Sequence, residues 1–169
     1  HQLYVSKNIE FFKKIFSDHF NKTTNVKISS QPEYLSTYWP RLDTKTNGWI
    51  DWNLKPKNIE NFICAFDDPY AGASTYLNKK IVRLKKVLLN SGDGVFHNYQ
   101  NGIIFRKNKK WINIALGEYS LIVNEILDHK GNDIFKNLRE GDRFYTPLSV
   151  LDSSKSRVQI LPSGEVKIL

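Results

Sequence analysis

The chain has no methionine and one cysteine in 169 residues. A single cysteine excludes an intramolecular disulfide framework and a cysteine-based zinc site within one chain, and fits a reducing compartment such as the cytoplasm. Cys64 lies in the apolar string Phe62-Ile63-Cys64-Ala65-Phe66 and reads as a small buried hydrophobe rather than a nucleophile. No apolar run approaches the roughly 20 residues of a membrane span; Ile81 to Leu89 is interrupted by Arg83, Lys85 and Lys86, so no membrane partner is expected. The N-terminus lacks the apolar core of a signal peptide, and a start at His1 rather than Met fits a processed or partial chain. No GxGxxG, GxxxxGK, HExxH or GxSxG pattern occurs, and His1, His19, His97 and His129 lack metal-ligand spacing. Phosphate-cradling loops, a histidine metal site and a serine-hydrolase elbow are therefore not expected.

What is present is charge and aromatic mass. The net charge of +8 suits an anionic partner, whether nucleic acid, nucleotide, phosphorylated substrate or acidic surface, without choosing among them. Hydrophobic residues make up 40% and aromatic residues 13%, enough for a packed core. Residues 5 to 20 read as a helix with Ser6 as N-cap and Ile9, Phe12, Ile15 and Phe16 on one side. A short extended piece follows at Val26 to Ile28. Pro32 and Pro40 favour extended or turning chain, and Thr46-Asn47-Gly48 is a turn signal. A second helix starts at Lys55-Pro56-Lys57, capped by Asp51 or Asn53, with an apolar stripe of Ile59, Phe62, Ile63 and Phe66.

From Ser74 the apolar period becomes roughly two. Hairpins are expected at 75–88 around Asn78-Lys79 and at 103–115 around 107–110, with a strand from Ser120 to Val123 or on to Leu127. A short helix is expected at Ile134 to Leu138, turns at Gly131-Asn132 and 140–143, and a last hairpin at 157–169 around Pro162-Ser163-Gly164. Short strands with close turns indicate a small antiparallel barrel.

Two sets of residues stand out for binding. Trp39 offers a ring face and Arg41 a bidentate guanidinium; the alternative is packing and an ion pair. Asp51, between Trp49 and Trp52, is either a partly desolvated carboxylate or a helix cap. Arg83, Lys85 and Lys86 could track a nucleic-acid backbone, or protect an edge strand by charge. Asp67-Asp68 and Asp142 read as solvated turns.

The run Gly48-Trp49-Ile50-Asp51-Trp52-Asn53, the helix from Asn58 to Phe66, and Asp68-Pro69-Tyr70-Ala71-Gly72-Ala73-Ser74-Thr75-Tyr76-Leu77 resemble the 10-formyltetrahydrofolate-dependent formyltransferases. That family includes methionyl-tRNA formyltransferase and the nucleotide-sugar N-formyltransferases. Gly131 to Phe144 is similar to the family's closing segment, and the resemblance covers roughly residues 30 to 147. It implies an α+β chain: residues 1–48 as the last helix and connector of an otherwise absent Rossmann-like catalytic domain, 49–147 as an OB-like barrel, and 148–169 as an additional hairpin. The catalytic Asn, His and Asp of the family would lie upstream, so this chain alone is expected to be inactive and to need no cofactor.

In the parent enzyme, the resemblance implies formyl transfer from 10-formyltetrahydrofolate to the amine of a nucleotide-linked amino sugar. The sequence Thr37-Tyr38-Trp39-Pro40-Arg41-Leu42 looks more like the sugar branch, with Trp39, Arg41 and Asp51 near the substrate mouth. The alternative is an RNA-binding module that holds tRNA through Arg83, Lys85 and Lys86. A purely structural role, with the final hairpin building a homodimer, is a third reading.

Overall fold

The computed structural model describes residues 2–21, 29–30, 32–161 and 163–169. The extended piece expected at Val26 to Ile28, and Pro162 of the last turn, lie outside them. The chain divides into two compact units, His1–Trp39 and Pro40–Leu169.

The first unit holds helix α1, Gln2–Phe20, and a 3-10 turn at Glu33–Leu35. The helix begins before Ser6 rather than at it. Its apolar side is uncovered: Val5, Ile9, Phe11, Phe12, Phe16 and Phe20 are all exposed.

The second unit opens with a short helix α2, Thr44–Asn47, where only a turn was expected; Asp43 caps it by accepting the Thr46 N–H. Helix α3, Pro56–Ala65, follows. Pro56 occupies its first turn, where an absent N–H costs nothing, and Lys55 is the N-cap, with no side-chain cap bond. Asp51 instead accepts the Asn53 N–H at 2.9 Å in a local turn. The stripe on α3 is as expected, with Ile59 and Ile63 fully buried and Phe62 packed against the core. Cys64, one position on, is exposed. The reason is rotation: 100° per residue carries position 64 off the stripe that position 63 defines.

Eight strands follow: β1 Ala73–Leu77, β2 Lys80–Asn90, β3 Ile104–Lys107, β4 Ile112–Leu116, β5 Tyr119–Asp128, β6 Phe144–Tyr145, β7 Val158–Ile160 and β8 Val166–Ile168. The first six form one curled sheet in the order β3-β4-β5-β2-β1-β6, antiparallel throughout. Its two edges meet. Ile103 bridges Arg143, the Phe144 N–H donates to Gly102 O at 2.9 Å, and the Ile104 N–H donates to Asp142 O at 2.8 Å. An OB-like half-barrel results, and closing the edges removes an exposed ladder that could template aggregation. Gly102 permits the closure, because a Cβ there would lie 2.2 Å from Phe144 O. Helix α4, Leu148–Ser154, was not anticipated; β7 and β8 then form a separate two-stranded sheet, the hairpin expected at the C-terminus.

The core is aliphatic: Ile50, Leu84, Ile104, Ile114, Leu121 and Ile126 are fully buried. Trp52 joins it, stacked on Phe144 with ring centroids 6.0 Å apart. Its indole N–H donates to Thr75 Oγ1 at 3.0 Å, and Thr75 Oγ1 donates in turn to Tyr145 O. A buried indole needs such a partner, since an unpaired buried donor costs about 1–3 kcal/mol.

Candidate functional site

Trp39 is 83% exposed at the end of the first unit. Arg41 is exposed near the start of the second. Asp51 is half-buried and bonded to its own turn. Trp49 is committed to the barrel: its ring stacks on Tyr76 at 5.4 Å, Tyr76 stacks on Tyr145 at 5.9 Å, and its N–H donates to Lys45 O at 3.1 Å. Trp39 therefore offers a free ring face, whereas the rings that flank Asp51 are part of the fold.

The basic strand is β2, and it is interior, between β5 and β1. Edge protection is thus not the reason for its charges. Lys85 is 7% exposed; its ammonium is bonded to Asp68 and Tyr70 O and lies 3.8 Å from Asp67. The chain from Asp67 to Gly72 lies close to the Lys85 stem, and a Cβ at Gly72 would come within 2.8 Å of Lys85 Cγ. Lys86 pairs with Glu125 at 2.6 Å, and its N–H donates to Asp67 Oδ2 at 2.8 Å. The Glu125 contact raises the Lys86 pKa, and Lys85 holds the Asp68 carboxyl below its ordinary value. Arg83 is half-buried. The strand therefore assembles Lys85 and Lys86 with carboxylates, and a ligand phosphate would have to compete with those partners.

Sequence reasoning did not single out a groove beside one end of the barrel. It is open, about 890 Å³ in volume, and walled by Tyr76, Leu77, Val82 and Leu138. Lys79, Lys80 and His129 also line it. Its other charged member is Asp128, whose oxygens accept the Lys130 and Asn132 N–H groups and the Asn132 amide. Those bonds, the Asn132 amide first, lower the Asp128 pKa. The hairpin that supplies Lys79 has a two-residue turn with φ of 49° at Asn78 and 65° at Lys79. Such turns favour glycine at the second position, and a left-handed conformation costs other residues roughly 1 kcal/mol. No local sequence signal marks the groove, because its lining comes from 76–82, 128–129 and 134–138 together.

A second polar cluster is structural. Asp93 accepts hydrogen bonds from Ser120 Oγ and Asn113 Nδ2, both at 2.6 Å, from Asn90 Nδ2 at 2.7 Å and from Arg106 Nη1 at 2.8 Å. Led by Ser120, these donors hold its pKa at about 2. Among the described residues, no group of three or more His, Cys, Asp and Glu could hold a metal ion, and no helix is long and apolar enough to cross a membrane.

Residues 43–136, more than half of the chain, match the family model "Formyl transferase, C-terminal domain". The matched span takes in α2, α3 and β1 to β5. The chain is also similar to a methionyl-tRNA formyltransferase of Geotalea daltonii, with 25% identity over 96 residues. That alignment covers 57% of this chain and 28% of the relative, so the chain spans less than a third of the protein it matches. With five of the six barrel strands, the entering helix and the Trp49-to-Trp52 junction inside the matched region, the chain belongs to the formyl transferase C-terminal domain family.

Proposed function

We propose that this chain is the C-terminal part of an enzyme that transfers a formyl group from 10-formyltetrahydrofolate to the amine of a nucleotide-linked amino sugar. The family generally draws on formyl-tetrahydrofolate, but the residues present do not fit a formyl-transfer centre. No Asn-x-His sequence occurs in the chain, and the one histidine lining the groove, His129, lies beside an Asp128 already bonded within its own turn. Catalysis is therefore assigned to a domain outside these residues, and no step is routed through them. In this reading α1 and the connector belong to that catalytic domain, and the barrel is appended to it.

The observation that carries the acceptor assignment is the contrast between the two candidate sites. Trp39 and Arg41 lie on exposed connector, free to meet a base or sugar ring and a phosphate. Lys85 and Lys86 are already paired with carboxylates. Asp51 would lie near the substrate mouth as a turn-forming carboxylate rather than a base. A second reading, tRNA as acceptor held along Arg83, Lys85 and Lys86, is favoured by the name of the relative, a methionyl-tRNA formyltransferase.

The test assays the complete enzyme that carries this chain against a panel of nucleotide-linked amino sugars and against methionyl-tRNA. Formylated sugar without formylated tRNA is expected, and Trp39→Ala or Arg41→Ala should raise KM for the sugar by about tenfold, the loss of one good contact. Formylation of the tRNA alone would overturn the acceptor assignment. Turnover by residues 1–169 alone would overturn the placement of the catalytic centre elsewhere.

A further inference from the structure

The groove beside the barrel end combines a ligand-sized volume with a mixed lining of apolar and basic residues. At about 890 Å³ it falls in the range of small-molecule and cofactor pockets, several times what a bare phosphate fills. The half-buried Tyr76, Ile81 and Ile134 give it apolar walls, backed by the buried Leu77, Val82 and Leu138, and the exposed Asn137 also lines it. Lys79 and Lys80, both exposed, line it where β1 turns into β2. An apolar wall, an asparagine and two lysines are complementary to the plane, the edge and the phosphates of a nucleotide respectively.

We infer that this groove binds a nucleoside diphosphate. The base lies against Tyr76 and Ile134 with its edge on Asn137, and the diphosphate reaches Lys79 and Lys80. Asp128 stays charged in the groove lining, its oxygens accepting the Lys130 and Asn132 donors of its own turn, so the diphosphate is placed at Lys79 and Lys80 and away from it. A longer polyanion is disfavoured, since the next lysines along β2, Lys85 and Lys86, are taken by Asp68 and Glu125. The inference is independent of which acceptor the enzyme uses.

Uridine diphosphate, inorganic pyrophosphate, uridine and a single-stranded RNA oligomer serve as probes in amide NMR titrations of the full chain. Uridine diphosphate is expected to give saturable shifts confined to 77–82, 128–129 and 134–138. Lys79→Gly combined with Lys80→Ser should weaken it by about tenfold or more. Lys79→Gly alone should weaken it about threefold while the Tm holds or rises, because glycine relieves the left-handed turn. Asn137→Ala is a second variant that leaves the turn untouched, and it too should weaken binding. No saturation, or unchanged affinity in all the variants, would overturn the site. Pyrophosphate or uridine binding as tightly as uridine diphosphate would overturn the nucleotide assignment. So would RNA displacing uridine diphosphate from these residues at lower nucleotide-equivalent concentration. None of these failures touches the formyl-acceptor assays, which read turnover by the complete enzyme.

Discussion

Asp93 is the residue on which the polar interior of the barrel turns. Its side chain is 9% exposed, yet it stays ionised because Ser120, Asn90, Asn113 and Arg106 all donate to it. The anion also sets the Asn113 amide: turning Nδ2 toward Asp93 leaves Asn113 Oδ1 without a partner among the described residues, whereas the reverse would set two oxygens against each other. Asp93→Asn puts an amide donor where four donors converge. It should cost roughly 3 kcal/mol in urea unfolding at neutral pH, the scale for breaking a buried charged network. The pH dependence follows from the depressed pKa. Stability from Asp93 is fully present above its ordinary value of 3.8 and is lost as pH falls toward about 2. The gap between wild type and Asp93→Asn should therefore narrow between pH 4 and pH 2; a constant gap would mean the carboxylate is not held in its charged form. Gly102 is the other decisive residue. It has φ of 84°, and its missing Cβ leaves room for Phe144 O. Gly102→Ala should destabilise by roughly 3 kcal/mol through strain and overlap together, with amide exchange faster first at Ile104 and Phe144, where the sheet edges join.

At the scale of elements, the middle of β2 shows what the sequence could and could not carry. Val82 and Leu84 face the core, but so do Val87 and Leu89, so the alternation skips a beat at Lys86. That residue has φ of 52°. The partner strand skips with it: Ile126 faces inward, and so do Val123 and Leu121. Reversing the pleat on paired strands at one level helps a sheet this narrow to curl. Hairpin positions were legible because Asn78-Lys79 and 107–110 carry turn chemistry, and α3 because its apolar stripe has a helical period. The pleat reversal was not legible, since lysine carries no signal for a left-handed backbone. Nor was β6, whose two residues, Phe144 and Tyr145, are too few to show a period. Trp39 and Arg41 stand out by residue type alone, before any fold is known. The groove lined by Lys79, Lys80 and His129 could not, because it assembles positions 50 residues apart only after β2 and β5 pair. Lys86→Gly should raise the Tm by a few degrees, because it removes the left-handed penalty and gives up only an exposed ion pair, a type of contact worth little. A lower Tm would show that the Lys86–Glu125 pair holds the bend.

For the whole molecule, stability and surface divide unequally between the two units. Every buried core hydrophobe among the described residues, from Ile50 to Val158, belongs to the unit Pro40–Leu169. The sheet closes within that unit, through Ile103 and Arg143. The unit His1–Trp39 contributes none of them, and its helix α1 exposes a row of phenylalanines to water. Exposed apolar surface of that kind marks an interaction site or an aggregation liability, and in the proposed enzyme it belongs against the catalytic domain. Two outcomes follow for the chain shortened to residues 40–169. It should unfold cooperatively with a Tm within a few degrees of the full chain, since no core contact is lost. It should also stay in solution at higher concentration, since the exposed phenylalanines are gone. Calorimetry and sedimentation of the two chains side by side measure both. Loss of cooperative unfolding in the shortened chain would mean that α1 supports the barrel. Equal self-association of the two chains would move the sticky surface from α1 to the barrel or to the β7–β8 hairpin, where the homodimer reading would place it.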